Sequence, residues 1–503
     1  MRGLPTSEAI TSCPGVLHKQ PFVYLYFILF ELYQQFSIHQ HHEPLDWPET
    51  HPNSFSHHTT MSPHALQTED IPSYKAMMAE FSVTENGFLP LEAPLKFLPD
   101  AYYEPWERII HHLSSLLSAG KFHKEIRNMP LLSTDRLKTE AEWRRAYVIL
   151  SFFLHGFVWG GETPQAILPP QVAVPLLRVS KHLELPPVAT YAALNLWNFS
   201  SHTSHFHELD QLESLHTFTG TKDEAWFYLV SVAMEAEGGH VISSMLRALE
   251  AIKTRDYATI TASLDKLSGT IRKTGALLER MYEECDPMVF FYQIRPYLAG
   301  SMNMESAGLP NGVFYDEGEG RGGWQQLRGG SNGQSSLIQF LDVVLGVEHF
   351  SHGEGPRSVK KSQAPTFQQQ VREYMPGPHA RFLDHVARLG SIRELAMVEP
   401  TTPEQERLRE SYQAATRCMT EFRNKHLQIV TRYIVLPSKK ARQAGGAAPA
   451  PAQGGRVNIA SASEATSDAK ELTGTGGTAL MPFLKQTRDE TLQAGDLSQG
   501  GRA

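Results

Sequence analysis

Cysteine is scarce in this chain: its 503 residues include only Cys13, Cys285 and Cys418, and no CxxC pair. That argues against a disulfide framework and against a cysteine zinc site, and it suits a reducing compartment. A cytoplasmic location is the expectation. An excess of positive charge is also missing, since 46 Lys and Arg stand against 54 Asp and Glu for a net charge of −8. Nucleic-acid binding normally needs a basic footprint, so no nucleic-acid partner is expected. The apolar run FVYLYFILF at 22–30 ends at Glu31, well short of the roughly 20 residues that span a bilayer. No small-x-small cleavage site follows it, so neither a membrane anchor nor a signal peptide is expected. The glycine-rich segment 308–336 lacks a GK[ST] and is preceded by no alternating strand, which excludes a nucleotide-binding loop.

What is present is helical periodicity on a background of 41% hydrophobic and 20% charged residues, the balance of a globular protein with room for two or three domains. Residues 1–60, with six histidines at irregular spacing after the apolar run, read as a poorly ordered extension, and Met61 as an alternative start. From 61 to 105 repeated prolines point to an extended, packed lead-in without long helices. Helical patterns then follow at 104–117, 140–158, 171–183, 189–199, 224–250 (interrupted by Gly238 and Gly239), 257–285, 337–347, 368–374, 380–389, 391–397 and 404–437. Residues 438–470 are rich in Ala, Gly, Ser and Pro and read as a flexible loop. GTGGT at 474–478 opens a last short helix, and its glycines would suit a hinged lid.

Several residues stand out on this background. His426 lies in the apolar stripe of the 404–437 helix, with Tyr412, Met419, Phe422, Ile429, Val430 and Tyr433. Periodicity leaves two readings of it, a core histidine bonded to a carbonyl or a neutral imidazole available to haem iron. Asp342 sits mid-helix among apolar residues and needs a partner, the second ring nitrogen of a ligand histidine being one candidate. Arg295 adjoins the aromatic run 290–292, where a buried guanidinium needs an anion, either an internal carboxylate or a ligand. His202, His205, His207 and Glu208 make an HxxHxH cluster without supporting ligands, read as a solvated loop. Glu348, His349, His352 and Glu354 are likewise read as a surface loop.

Seven phrases occur in order: WFYLVS at 226–231, FFYQIRPYLAG at 290–300, GGSNGQSS at 329–336, DVVLGV at 342–347, REYMPGPHARFL at 372–383, HLQIVTRYI at 426–434 and GTGGT at 474–478. Together they resemble the indoleamine 2,3-dioxygenase family over roughly residues 61–490. The resemblance implies an all-α fold, a large helical haem-binding domain (216–437) preceded by a smaller, mostly helical N-terminal domain (61–215), with the loop 438–470 and a covering segment 471–503 behind it. It implies haem b, with His426 as the proximal iron ligand and Asp342, Arg423 and Val430 on that side. It further implies Arg295 on the tryptophan carboxylate, Tyr191, Phe227 and Phe290 around the indole, and Ser231 near the dioxygen. Ser331, Asn332 and Gly333 then form the distal loop, and Thr475, with Gly474, Gly476 and Gly477, the mobile cover. The activity implied is cleavage of the indole C2–C3 bond of L-tryptophan by O2 to N-formylkynurenine, the first step of the kynurenine route towards NAD. A monomer supplied by an external electron donor is expected. The alternative is a haem protein of the same fold that binds O2 with little turnover. Two departures from the family pattern, Asn332 in place of a small residue and Leu194 in the pocket, bear on substrate preference, and the 438–470 loop is longer than usual.

Overall fold

The structure is a computed structural model that describes residues 71–350, 365–443 and 480–497. The described residues lie in one compact unit spanning Thr68–Ala503. Ten principal helices organise it: α1 (Glu104–His111), α2 (Glu140–Trp159), α3 (Pro170–His182), α4 (Lys222–Gly239), α5 (Ile242–Thr254), α6 (Tyr257–Glu279), α7 (Ser336–Leu345), α8 (Gly377–Ala387), α9 (Pro403–Val430) and α10 (Leu480–Gly495). The fold is thus predominantly helical, as expected. No described helix is long and apolar enough to cross a membrane.

Local chemistry sets most helix ends. Thr139, Thr221, Asp256 and Ser335 cap α2, α4, α6 and α7 through their side-chain oxygens. Thr402 and Gln405 form a reciprocal capping box at the start of α9, with Pro403 in its first turn. α2 is buried along nearly its whole length and forms a central rod. α9 packs extensively against α6 and also against α10, and α4 packs on α6 as well.

The break between α4 and α5 falls at His240 and Val241, just after Gly238 and Gly239, and packing explains both glycines. A Cβ at Gly238 would sit 2.2 Å from Leu337, and one at Gly239 would sit 2.3 Å from the Gly87 backbone nitrogen. The leucine can rotate away; the backbone cannot. Gly239→Ala is therefore expected to destabilise the protein by about 1–3 kcal/mol through overpacking, read as a lower urea midpoint. An unchanged midpoint would show that the 84–89 turn yields.

Several elements differ from expectation. The 104–117 pattern is two helices, α1 and Leu113–Ser118, because the backbone leaves helical geometry at His112. A ten-residue helix, Ile71–Glu80, opens the proline-rich lead-in, with its proline in the first turn where no amide is lost. Residues 189–199 make only a π-helical turn, Ala192–Leu196, before strand β2 (Phe199–Ser201), which pairs with β3 (Leu212–Ser214). Within the glycine-rich segment β4 (Val313–Gly318) turns back on β5 (Arg321–Gln325), and β1 (Ile167–Leu168) joins β4 in parallel. Glu319 and Gly320 both take positive φ in that turn, as a two-residue hairpin of this twist demands. After α9 the chain continues through a π-helical turn, Thr431–Val435, into a helix Leu436–Gln443, so residues 438–443 are helical rather than loop.

Candidate functional site

α9 carries His426 into the wall of an internal cavity. The cavity leaves about 1850 Å³ free of protein atoms, open solvent at its mouth included. His426 makes no hydrogen bond among the described residues, and burial, followed by the charge of Arg423, pulls its pKa down to about 4. The imidazole is therefore neutral near pH 7, with a nitrogen lone pair available to the cavity. One turn earlier, Arg423 donates to Asp342 of α7 at 2.5 Å, while its buried Nε has no partner among the described residues. Burial alone would push the Asp342 carboxyl up, but Arg423 and His349 outweigh it and hold the carboxyl below its usual range. Asp342 thus pairs with Arg423 and His349, not with the second nitrogen of His426.

Another part of the wall comes from α4, where Phe227, Ser231 and Glu235 follow at steps of four and share a face. The Phe227 ring lies 5.0 Å from that of Phe290, which stands 5.8 Å from Tyr433. Tyr433 is pinned by its hydroxyl to the carbonyls of Met281 and Cys285. Phe290 begins a π-helical turn, Phe290–Ile294, whose extra residue per turn separates the aromatic wall from Arg295. Arg295 is 3% exposed, with its guanidinium 5.7 Å from the Phe291 ring.

The third side is the 329–335 loop. Gly329 and Gly330 admit close approach, since a Cβ on Gly330 would stand 2.4 Å from Leu194. Gln334 ties the loop by donating to the Gly329 carbonyl at 2.8 Å and accepting the Tyr191 amide at 2.9 Å. The Tyr191 hydroxyl donates to Glu235 at 3.0 Å, and burial, then the Glu235 carboxylate, keep that hydroxyl protonated.

One cavity therefore brings together Tyr191, Phe227, Ser231, Phe290, Arg295, Ser331, Asn332, Gly333, Asp342, Arg423, His426 and Val430. Thr475 and the neighbouring Gly474, Gly476 and Gly477 lie outside the described residues, as do residues 1–60 and His352. The helix behind GTGGT does reach the cavity, through Leu480, Phe483, Leu484 and Thr487 of α10. HxxHxH is an exposed loop, with His202 on Glu213 at 3.2 Å.

His349 departs from the surface-loop reading. Its side chain is only 10% exposed, with Nδ1 2.6 Å from Glu490 of α10 and Nε2 3.1 Å from Asp342. Glu490 was not singled out by the sequence, nor was Glu235. Glu235 had one available signal, its position a helical turn after Ser231 inside an apolar run. Glu490 had none.

The donor set fits an iron porphyrin. A neutral imidazole without another side-chain partner among the described residues faces a mainly apolar cavity, and one turn away the buried Arg423 Nε also has no partner among them. Residues 77–494 match the family model for indoleamine 2,3-dioxygenase. The chain belongs to the indoleamine 2,3-dioxygenase family. It is 39% identical over 417 residues to indoleamine 2,3-dioxygenase nanC of Aspergillus nanangensis, covering 81% of this chain and 94% of the relative. It is 38% identical over 427 residues to the Saccharomyces cerevisiae indoleamine 2,3-dioxygenase, covering 82% and 92%. A 6-hydroxytryptophan 2,3-dioxygenase of Fusarium equiseti is 37% identical over 416 residues, covering 81% and 95%. The family resemblance read from the seven phrases is borne out, and the chain is a haem-dependent dioxygenase with haem b as its cofactor.

Proposed function

We propose that this indoleamine 2,3-dioxygenase family member takes L-tryptophan and O2 and places both oxygen atoms across the indole C2–C3 bond, giving N-formylkynurenine. The observation that carries the reading is the convergence of His426, Arg295, Ser231 and the Phe227–Phe290 pair on one cavity. When bound, haem supplies the activation of O2 that protein side chains cannot perform. His426 would hold it through iron, with Ser331, Asn332, Gly333, Asp342, Arg423 and Val430 around it. The protein's own work is binding, orientation and the exclusion of water.

Arg295 receives the substrate carboxylate through charge-assisted hydrogen bonds. Phe227 and Phe290 flank the indole in an offset aromatic arrangement. Ser231 acts as a hydrogen-bonding group rather than a base, since an unactivated serine hydroxyl is a poor proton acceptor. Thr475 and its glycine neighbours cover the substrate. The 61–215 segment serves as the smaller domain and 216–437 as the larger. The enzyme works as a monomer in the cytoplasm, with an external electron donor keeping iron ferrous.

N-formylkynurenine formation from L-tryptophan under a reducing system tests the reading. Binding of O2 and tryptophan without product would return the O2-binding alternative. Arg295→Ala is expected to lower kcat/KM for tryptophan by roughly 10- to 100-fold, the worth of a lost charged hydrogen-bond pair, while haem content and CO binding persist. Equal loss of haem would contradict the clamp role.

A further inference from the structure

Glu235 is a buried carboxyl group in a place that works against it. It is 1% exposed, burial pushes its pKa up to about 7, and no Lys, Arg or His pairs with it among the described residues. A lone carboxylate in a dry interior costs stability, and a side chain that breaks such a rule is commonly one the site requires. Its hydrogen bonds show what it does. Oε1 accepts the Tyr191 hydroxyl at 3.0 Å and the Ser335 hydroxyl at 2.6 Å. That single oxygen joins α4 to the start of α7 and to the residue that opens the π-helical turn Ala192–Leu196. Ser335 caps α7 at the same time, its hydroxyl oxygen accepting the Ile338 amide at 3.2 Å.

Tyr191 is tied at its backbone too. Its amide donates to the Gln334 side chain at 2.9 Å, and its carbonyl accepts the Asn195 side-chain amide at 3.3 Å. Gln334 and Ser335 directly follow Ser331, Asn332 and Gly333. The turn beside Tyr191 is only five residues long, so these bonds, rather than a long helix, set the direction of the ring. We infer that Glu235 is a positioning residue for tryptophan: by bracing the Tyr191 hydroxyl against Ser335, it fixes the tyrosine wall of the indole pocket and locks that wall to the 329–335 loop. The inference rests on the proposed indole pocket and deepens it by adding a residue that acts through Tyr191. A wall that meets the indole alike before and during reaction supplies uniform binding, so the brace acts on KM and leaves kcat alone.

Haem-loaded full-length protein is assayed for N-formylkynurenine formation at pH 8, where Glu235 is mainly carboxylate, and tryptophan binding is read in parallel from the Soret shift. Glu235→Ala is expected to raise KM and Kd about tenfold, the worth of one hydrogen bond to a charged group, with kcat and haem content unchanged. Glu235→Gln keeps an acceptor oxygen for both hydroxyls and should recover most of that loss. Tyr191→Phe removes the braced hydroxyl and should raise KM by a similar factor. Because both changes cut one contact, the double variant should be no weaker than the weaker single, whereas independent effects would multiply to about a hundredfold. Multiplied effects overturn the brace, and so does a Glu235→Gln protein as impaired as Glu235→Ala. A fall in kcat or haem content that matches the rise in KM would make Glu235 a structural prop and overturn it as well. Wild-type tryptophan affinity in Tyr191→Phe overturns it even where no Glu235 variant folds. Failure of the wild-type protein to form product counts against the dioxygenase reading alone, because the Soret titrations still decide the brace.

Discussion

The His426→Ala protein is expected to purify with wild-type helical content and without a Soret band. Loss should be complete rather than graded, because the described cavity wall offers iron no substitute. His426 is its one histidine among the described residues, and it contains no cysteine. The two tyrosines there are committed elsewhere: Tyr191 donates to Glu235, and Tyr433 to the carbonyls of Met281 and Cys285. Met234 and Met281 remain, and a thioether is a weak ligand beside imidazole. Folding should survive because His426 contributes no hydrogen bond to the described structure and keeps surface on the cavity. Imidazole added to the variant should restore the band by filling the vacated space. A Soret band of wild-type intensity in His426→Ala without added imidazole would remove His426 as the ligand, and with it the assignment of α9 as the proximal wall.

How far such a site is legible in sequence depends on how its residues find each other. His426 was placed by phase alone: steps of three and four along α9 put it in the buried stripe, although the same stripe suits an inert core histidine. What separates the two readings is the missing hydrogen-bond partner, a property of the space around the ring. Arg295 was marked by the cost of burying guanidinium beside aromatics, and it is buried. The β4–β5 hairpin went unread because glycines dominate its composition, while its pattern of buried Val313 and Tyr315 spans only two alternations. His349 was misplaced for a different reason. Its partners stand 7 and 141 residues away, and short-range pattern does not reveal a contact across such a separation. Glu235 shared the face of Ser231 in plain view, but only the fold shows that one of its oxygens is bare.

The second large effect is expected where α10 is fastened beneath the cavity. His349 bridges Glu490 and Asp342, Glu490 also accepts the Phe350 amide at 3.1 Å and the Gln486 amide at 2.8 Å, and Asp342 takes Arg423. Burial would lower the His349 pKa, but the two carboxylates prevail and raise it; once protonated, the imidazolium donates from both nitrogens. Asp342 and Glu490 then stand against His349 and Arg423, a neutral and almost wholly buried set. A raised folded-state pKa gives stability that is fully present below the unfolded histidine value of about 6.5 and is lost as pH rises through the folded value. Asp342 is depressed, so its share is present above about 3.9 and is lost as pH falls through its folded value. The fastening is therefore strongest between those limits, and wild-type urea midpoints should decline from pH 6.5 upwards. His349→Leu leaves the buried Glu490 without its charged partner, and at pH 6 should cost about 3 kcal/mol, the low end for a broken buried pair because Glu490 keeps the Phe350 and Gln486 amides and Asp342 retains Arg423. The same variant should flatten the decline above pH 6.5. Since α10 supplies Leu480, Phe483, Leu484 and Thr487 to the cavity, it should also release haem to apomyoglobin faster than wild type. A His349→Leu protein with the wild-type slope between pH 6.5 and 8 would show that the bridge carries no proton-linked stability, and that apolar packing along α9 alone holds the C-terminal helix.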